Sequence, residues 1–231
     1  MCWNATISLN TFVFSAATLA FIAYNNTYTK YKLPEFIANP WLYAVIVSFV
    51  SIQLVEYFLW RSIETRDAKL NRTASIIGSL IIASQPLAVS MLITNSVIQP
   101  IVTGIYAIIF AAYVLLKYPG NLDKYSTVVS PTTGSLQWKW NYPKSALFPG
   151  IDLVHILGYF AVFFVAAFYV PRYLAIIVAG TLVVMWLAYG GNENMVWGSK
   201  WCWSVTILMF YYLVKIMMVL PFGDMMKLCR Q

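Results

Sequence analysis

The chain has 231 residues, of which 61% are apolar and 10% charged, and it carries a net charge of +7. Soluble domains carry about 25% charged residues, so this composition excludes an ordinary water-solvated globule and points to an integral membrane protein. The positive balance is then expected to set orientation and to meet anionic headgroups, not nucleic acid, and nine Trp and sixteen Tyr suit the bilayer interface.

A spanning helix needs about 20 mostly apolar residues. In chain order, seven windows reach that length: 5–24, 41–61, 74–94, 99–117, 147–168, 172–190 and 201–220. They predict an all-α, polytopic membrane bundle of seven transmembrane helices, a single domain over 1–231. No Lys or Arg precedes the first run, so it is expected to be a retained helix and not a secretory signal. The links TNSVIQP and YVPRY are tight and contain Pro, which predicts helix hairpins. Segment 118–146 is the one long loop. Within it SLQWKWNY alternates apolar and polar residues, the period of a strand or an interfacial ribbon. Leu136, Trp138, Trp140 and Tyr142 would face the membrane or the bundle.

Seven spans put the termini on opposite sides of the bilayer. The N-terminal side, here side A, collects Arg61, Arg66, Lys69, Arg72, Lys117, Lys124, Lys139, Lys144 and Lys200, nine in all. Side B collects five: Lys30, Lys32, Arg172, Lys227 and Arg230. The excess of positive charge predicts that the N-terminus is cytoplasmic and the C-terminus lies on the opposite side.

Topology converts position in the chain into depth. Glu56, inside IQLVEYFLWR, lies five residues before Arg61, or about 7–8 Å below the side A boundary at 1.5 Å per residue. Gln53 and Trp60 stand at i−3 and i+4 and share its face. Span three contributes Gln85 and Pro86, whose missing N–H frees the carbonyl of Ile82. Span five contributes Asp152 and His155, three apart on one face, with Tyr159 one turn deeper. Span one adds Ser8 and Asn10; span seven opens on side A with Trp201, Cys202 and Ser204. A charge at a helix centre costs about 2.5–3.5 kcal/mol on insertion scales, and such groups persist where they share partners or water. The expectation is a polar pocket open to side A, with Glu56 as its acid.

Simpler roles stand beside each of these. Glu56 could pair with Arg61 and anchor a helix end. Asp152, just after Phe148-Pro149-Gly150, is placed to cap the first turn of span five. His155 could be a hydrogen-bonded core histidine, and Gln85-Pro86 a plain kink. Cys2 and Cys202 reach the same side, but the chain holds a single His and no metal spacing. They are therefore read as small buried side chains, with no metal site expected. Lys215, in YYLVKIMMVL, lies five residues from the end of the last span, close enough to snorkel to the interface. A Lys late in a seventh span also resembles the retinal-binding arrangement of microbial rhodopsins, with Trp186 and Tyr189 suiting a ring-lined pocket. Tyr211, however, stands where those proteins carry an Asp counter-ion, and span three offers Gln85 in place of a carboxylate.

The opening MCWNATISLN, the span-two IQLVEYFLW, the span-three SQPLAVSML and the late WGSKWCW resemble an uncharacterised family of small polytopic membrane proteins of bacteria and large DNA viruses. Its bacterial members begin Met-Cys-Trp-Ser-Ala, place Leu-Gln after a span-two glutamate, have Phe-Gln-Pro in the third span, and open the last with Trp-Cys. The resemblance picks out Cys2, Trp3, Glu56, Gln85, Pro86, Trp201 and Cys202. The chain departs from it in two places. Gln53 precedes Glu56 instead of following it, and Ile82 occupies the place of a family histidine. The resemblance implies no activity.

Three function classes follow. The first is a transporter or channel for a small solute or protons, using Glu56; against it, no inverted repeat is visible and polar residues thin out toward side B. The second is an intramembrane protein that binds or acts on a lipid or isoprenoid, with acid, base and nucleophile candidates in Glu56, Asp152, His155 and Cys202. The third is a structural membrane or interaction protein. The sequence requires no cofactor. Its expected partners are the bilayer and a solute, proton or lipid ligand, and it leaves the oligomeric state open.

Overall fold

The computed structural model describes residues 4–117, 125–139, 149–189 and 204–228. Helix α1 (Ala5–Tyr28) starts at Asn4, whose side-chain oxygen accepts from the Ile7 N–H. A short helix α2 (Pro34–Ala38) follows, with Pro34 at the first helical position, where its missing donor costs nothing. Helix α3 (Trp41–Glu64) and helix α4 (Ala68–Ser90) form the most extensive pair in the fold. Helix α5 (Ile98–Ala112) runs into a π-helical turn at Tyr113–Lys117. After the long loop come α6 (Pro149–Ala166), α7 (Arg172–Tyr189) and α8 (Ser204–Val214). A second π-helical turn (Lys215–Val219) joins α8 to α9 (Leu220–Leu228).

Among the described residues, five helical stretches are long and apolar enough to cross a bilayer: Ala5–Tyr28, Trp41–Glu64, Ala68–Ser90, Ile98–Leu116 and Ser204–Asp224. Many large apolar side chains on them point outward, Val13, Ile108, Leu115 and Met217 among them. A soluble protein rarely shows contiguous apolar surface of this kind. The chain is a multi-pass helical membrane protein. Helices α6 and α7, 18 residues each, contribute shorter described apolar stretches at Leu157–Ala166 and Arg172–Thr181.

The α3–α4 turn closes with a residue in the left-handed region, Arg66 at φ 55°. The Asp67 N–H returns to the Ser62 carbonyl at 2.8 Å and the Arg66 N–H to Ile63 at 3.3 Å. This pairing satisfies the last carbonyls of α3 in the manner usual for a glycine. Asp67 then caps α4 through Leu70 N–H. Helix α4 runs unbroken through Pro86, and Tyr106 of α5 donates to the Ala83 carbonyl beside it at 2.9 Å. Gly158 lets α5 approach α6 closely, since a Cβ there would meet Ile109 Cδ1 at 3.0 Å.

Within the alternating stretch, Leu136–Trp138 form a strand, one of the two forms its period predicts. Strand β1 (Thr127–Val129) pairs antiparallel with β2 (Leu136–Trp138), with Thr127 opposite Trp138. Leu136 and Trp138 are buried against the bundle while Gln137 between them is half-exposed. Trp140 and Tyr142 lie outside the described residues. Gly134 (φ 65°) supplies the left-handed residue of the turn, closed by Ser130 N–H to the Ser135 carbonyl at 2.8 Å. The hairpin is fixed to the helices by Asn71 of α4. Its amide brackets Thr127, accepting from the N–H at 2.9 Å and donating to the carbonyl at 3.0 Å.

Candidate functional site

Glu56 is 5% exposed, and Gln53 and Trp60 are buried on the same face of α3. Gln53 Oε1 accepts from Thr11 Oγ1 of α1 at 3.1 Å. Two donors on this face, Gln53 Nε2 and Trp60 Nε1, are buried and have no hydrogen-bond partner among the described residues. A buried donor left unmade costs about 1–3 kcal/mol, so this face of α3 has unfilled polar capacity. Arg61 is committed elsewhere: its guanidinium pairs with Glu64 at 2.9 Å on the exposed surface. It is Glu64, and not Glu56, that takes the arginine.

Gln85 and Tyr159, placed in the pocket from their depths alone, meet. The Tyr159 hydroxyl donates to Gln85 Oε1 at 2.6 Å, joining α4 to α6. Tyr159 in turn stacks on Phe163 at 4.9 Å between ring centroids. Gln85 Nε2 has no partner among the described residues. Ser204 is buried at the start of α8, where Ser15 Oγ donates to Thr206 Oγ1 at 3.3 Å.

Asn10 is different. It is exposed on the outer face of α1, so the expectation that it joins the pocket is corrected. Its neighbour Thr11 takes that place, because a shift of one residue turns a helical side chain by about 100°. Asp152 and His155 lie on the first turns of α6, but their side chains are outside the description, as are residues Cys2, Trp3, Trp201 and Cys202. No three His, Cys, Asp or Glu cluster as a metal would require among the described residues.

Polar groups do not thin out toward side B, and that expectation is also corrected. Lys215 is committed to an ion pair: its ammonium sits 3.0 Å from Glu35 Oε1, with side-chain exposures of 18% and 5%. The Tyr173 hydroxyl donates to the same carboxylate oxygen at 2.6 Å. The rings of Tyr173, Tyr211 and Tyr212 surround the ammonium, with centroids 5.4, 5.8 and 6.0 Å away. Such rings favour a cation through their negative faces. Tyr212 in turn meets Phe36 edge-on. Burial alone pushes the Glu35 carboxyl up. Hydrogen bonds from Tyr173, a backbone N–H and Lys215, together with the ammonium charge, outweigh it and hold the group below its ordinary 4.5. Nearby, Asn26 binds both the Leu33 N–H and the Tyr43 hydroxyl, each at 2.8 Å, and so folds the first loop back on α1. The retrospective signal for Glu35 is a carboxylate inside KLPEFIANPW, on the same side as Lys215.

Between α3, α4, α6, α7 and α8 lies a cavity of about 290 Å³. Its walls are Leu, Ile, Val, Ala and Phe; Ser204 alone among its lining residues has a polar side chain. Phe49 of α3, Phe163 of α6, Leu174 of α7 and Leu208 of α8 are among its lining residues. Its volume lies near the lower end for small-molecule sites, and a dry cavity of this lining favours hydrocarbon over water.

Fold and site together define a multi-pass helical membrane protein with an apolar intramembrane cavity and separate polar clusters toward either end of the bundle. Comparison with family models, curated proteins and solved structures finds no match to this chain.

Proposed function

We propose that the chain crosses the bilayer seven times, with its N-terminus in the cytoplasm, and binds a hydrocarbon-tailed lipid of the acyl or isoprenoid class. The apolar cavity carries this reading. It is bounded by five helices and offers walls of aliphatic and aromatic side chains, which suits a chain of methylene or isoprene units and not a hydrated ion. An 18-residue helix spans about 27 Å, close to the hydrocarbon thickness of about 30 Å, which supports counting α6 and α7 as spans. The resemblance to the uncharacterised membrane-protein family belongs to the same proposal and adds no activity to it.

The test is to purify the protein from membranes and quantify co-purifying lipid by mass spectrometry. Replacing Ala175 with Phe would place a ring in the cavity. A lower lipid-to-protein ratio in a variant that remains folded is the expected result. An unchanged ratio would remove the proposal.

A second reading is transport of protons or a small cation through Glu56. Its support is the buried carboxylate beside two unpaired buried donors, Gln53 Nε2 and Trp60 Nε1. Buried ionisable groups in spans commonly mark ion pathways.

A further inference from the structure

At the side A end, a recess of about 390 Å³ opens where the α3–α4 turn meets the hairpin. Arg66, Asp67, Asn71, Arg72, Tyr125 and Ser126 line it. We propose that this recess binds the phosphate of an anionic membrane lipid, a site separate from the apolar cavity and independent of what fills it.

Three observations converge. The first is charge. Arg66, Lys69 and Arg72 are exposed on the turn and first helical turns of α4. From a distant part of the chain, Lys139 is brought alongside, its N–H donating to the Ser126 carbonyl at 3.2 Å on the rim. Among the described residues, Glu64 is paired with Arg61, and Asp67 Oδ1 accepts from the Leu70 N–H. Among the described residues, the lining carries two arginines and Asp67. The second observation is rigidity. Asn71 is saturated by Ser62 and Thr127, and the Ser75 and Thr127 hydroxyls bond at 2.9 Å, so the hairpin wall is fixed against α4. The third is Arg66 itself. It occupies a left-handed cap where glycine is favoured, and no acidic residue among those described pairs with its guanidinium. Arginine there gives up backbone ease and adds a cation to the lining. Guanidinium groups bind phosphate oxygens in a fork, and basic pockets at the ends of spanning helices are suited to anionic headgroups.

Arg66→Gly separates charge from fold, because glycine relaxes the φ of 55° while removing the cation. The full-length protein is placed in nanodiscs of phosphatidylcholine. Thermal stability is then read as phosphatidylglycerol replaces part of that lipid, and separately as inorganic phosphate is added. The expected result is stabilisation by phosphatidylglycerol in the parent. The apparent affinity for that lipid weakens about five-fold in Arg66→Gly, and about thirty-fold when Arg72→Gln is added. Stabilisation by free phosphate in the neutral bilayer, lost in the same variants, would keep the phosphate site and overturn its assignment to lipid. Equal responses of parent and variants to both ligands would overturn the site.

Discussion

The ammonium of Lys215 and the carboxylate of Glu35 meet at 3.0 Å across 180 positions of sequence, joining the π-helical turn after α8 to the short helix α2. The first loop and the last span are thereby held at one point, with Tyr173 of α7 as the third member. Three elements that share no sequence neighbourhood close side B of the bundle.

Removing one partner of this pair leaves the other charge buried. Lys215→Met should therefore lower unfolding stability in detergent by about 3 kcal/mol. The double variant Glu35→Gln/Lys215→Met should recover most of that loss, because neither residue is then an uncompensated charge. Thermal unfolding followed by circular dichroism measures both. Equal stability of the two variants would show that the pair is not coupled.

The same carboxylate predicts a pH dependence. Glu35 is held below its ordinary 4.5 in the folded protein. Its contribution to stability is thus complete above about pH 4.5 and is lost as pH falls through the depressed folded value. A stability profile from pH 7 down to 3 should show a loss in that acid range that is smaller in Glu35→Gln. Identical profiles would rule the residue out as a contributor.

Tyr159→Phe removes the donor to Gln85 Oε1 and leaves that buried amide without either bond. The expected cost is about 1–3 kcal/mol. Adding Gln85→Leu should return part of it, since an apolar pair has nothing to desolvate. A chemical denaturation series on the three variants checks the sign of the coupling.

Asn71→Ala deletes the amide that holds both backbone groups of Thr127 and the Ser62 hydroxyl. At about 0.5–1.5 kcal/mol per hydrogen bond, detachment of the hairpin should cost about 2–3 kcal/mol. Limited proteolysis should then cut within 125–139 faster than in the parent, while the helices stay protected.

Glu56→Gln distinguishes the uses of the buried acid. If Glu56 carries protons or a cation, reconstituted vesicles lose flux while the folded protein remains. If it only packs, folding or expression falls instead. Unchanged flux and unchanged stability would leave the acid with neither role.

The helical membrane architecture was legible because composition and window length are properties of the chain itself. Apolar runs of about 20 residues can satisfy their backbone in lipid only as helices, and the first four windows match α1, α3, α4 and α5 to within a few residues at most of their ends. The alternation of SLQWKW likewise yields β2, since side chains on a strand reverse face at each residue. Gln85 and Tyr159, assigned to one pocket from their positions in the chain, do hydrogen-bond across α4 and α6.

Depth does not determine rotation. Asn10 and Thr11 are neighbours at the same depth, yet Thr11 reaches Gln53 and Asn10 faces outward. Hydropathy sees neither a carboxylate on a short helix pairing with a distant lysine, as Glu35 does with Lys215, nor an asparagine clamping a hairpin, as Asn71 does on Thr127. Each depends on which helix faces are packed together, and that is chosen by the fit of side chains across the whole bundle. Composition thus dictated a helical bundle in a membrane; only the packing of its faces decided where the charges meet and where an apolar cavity lies between the helices.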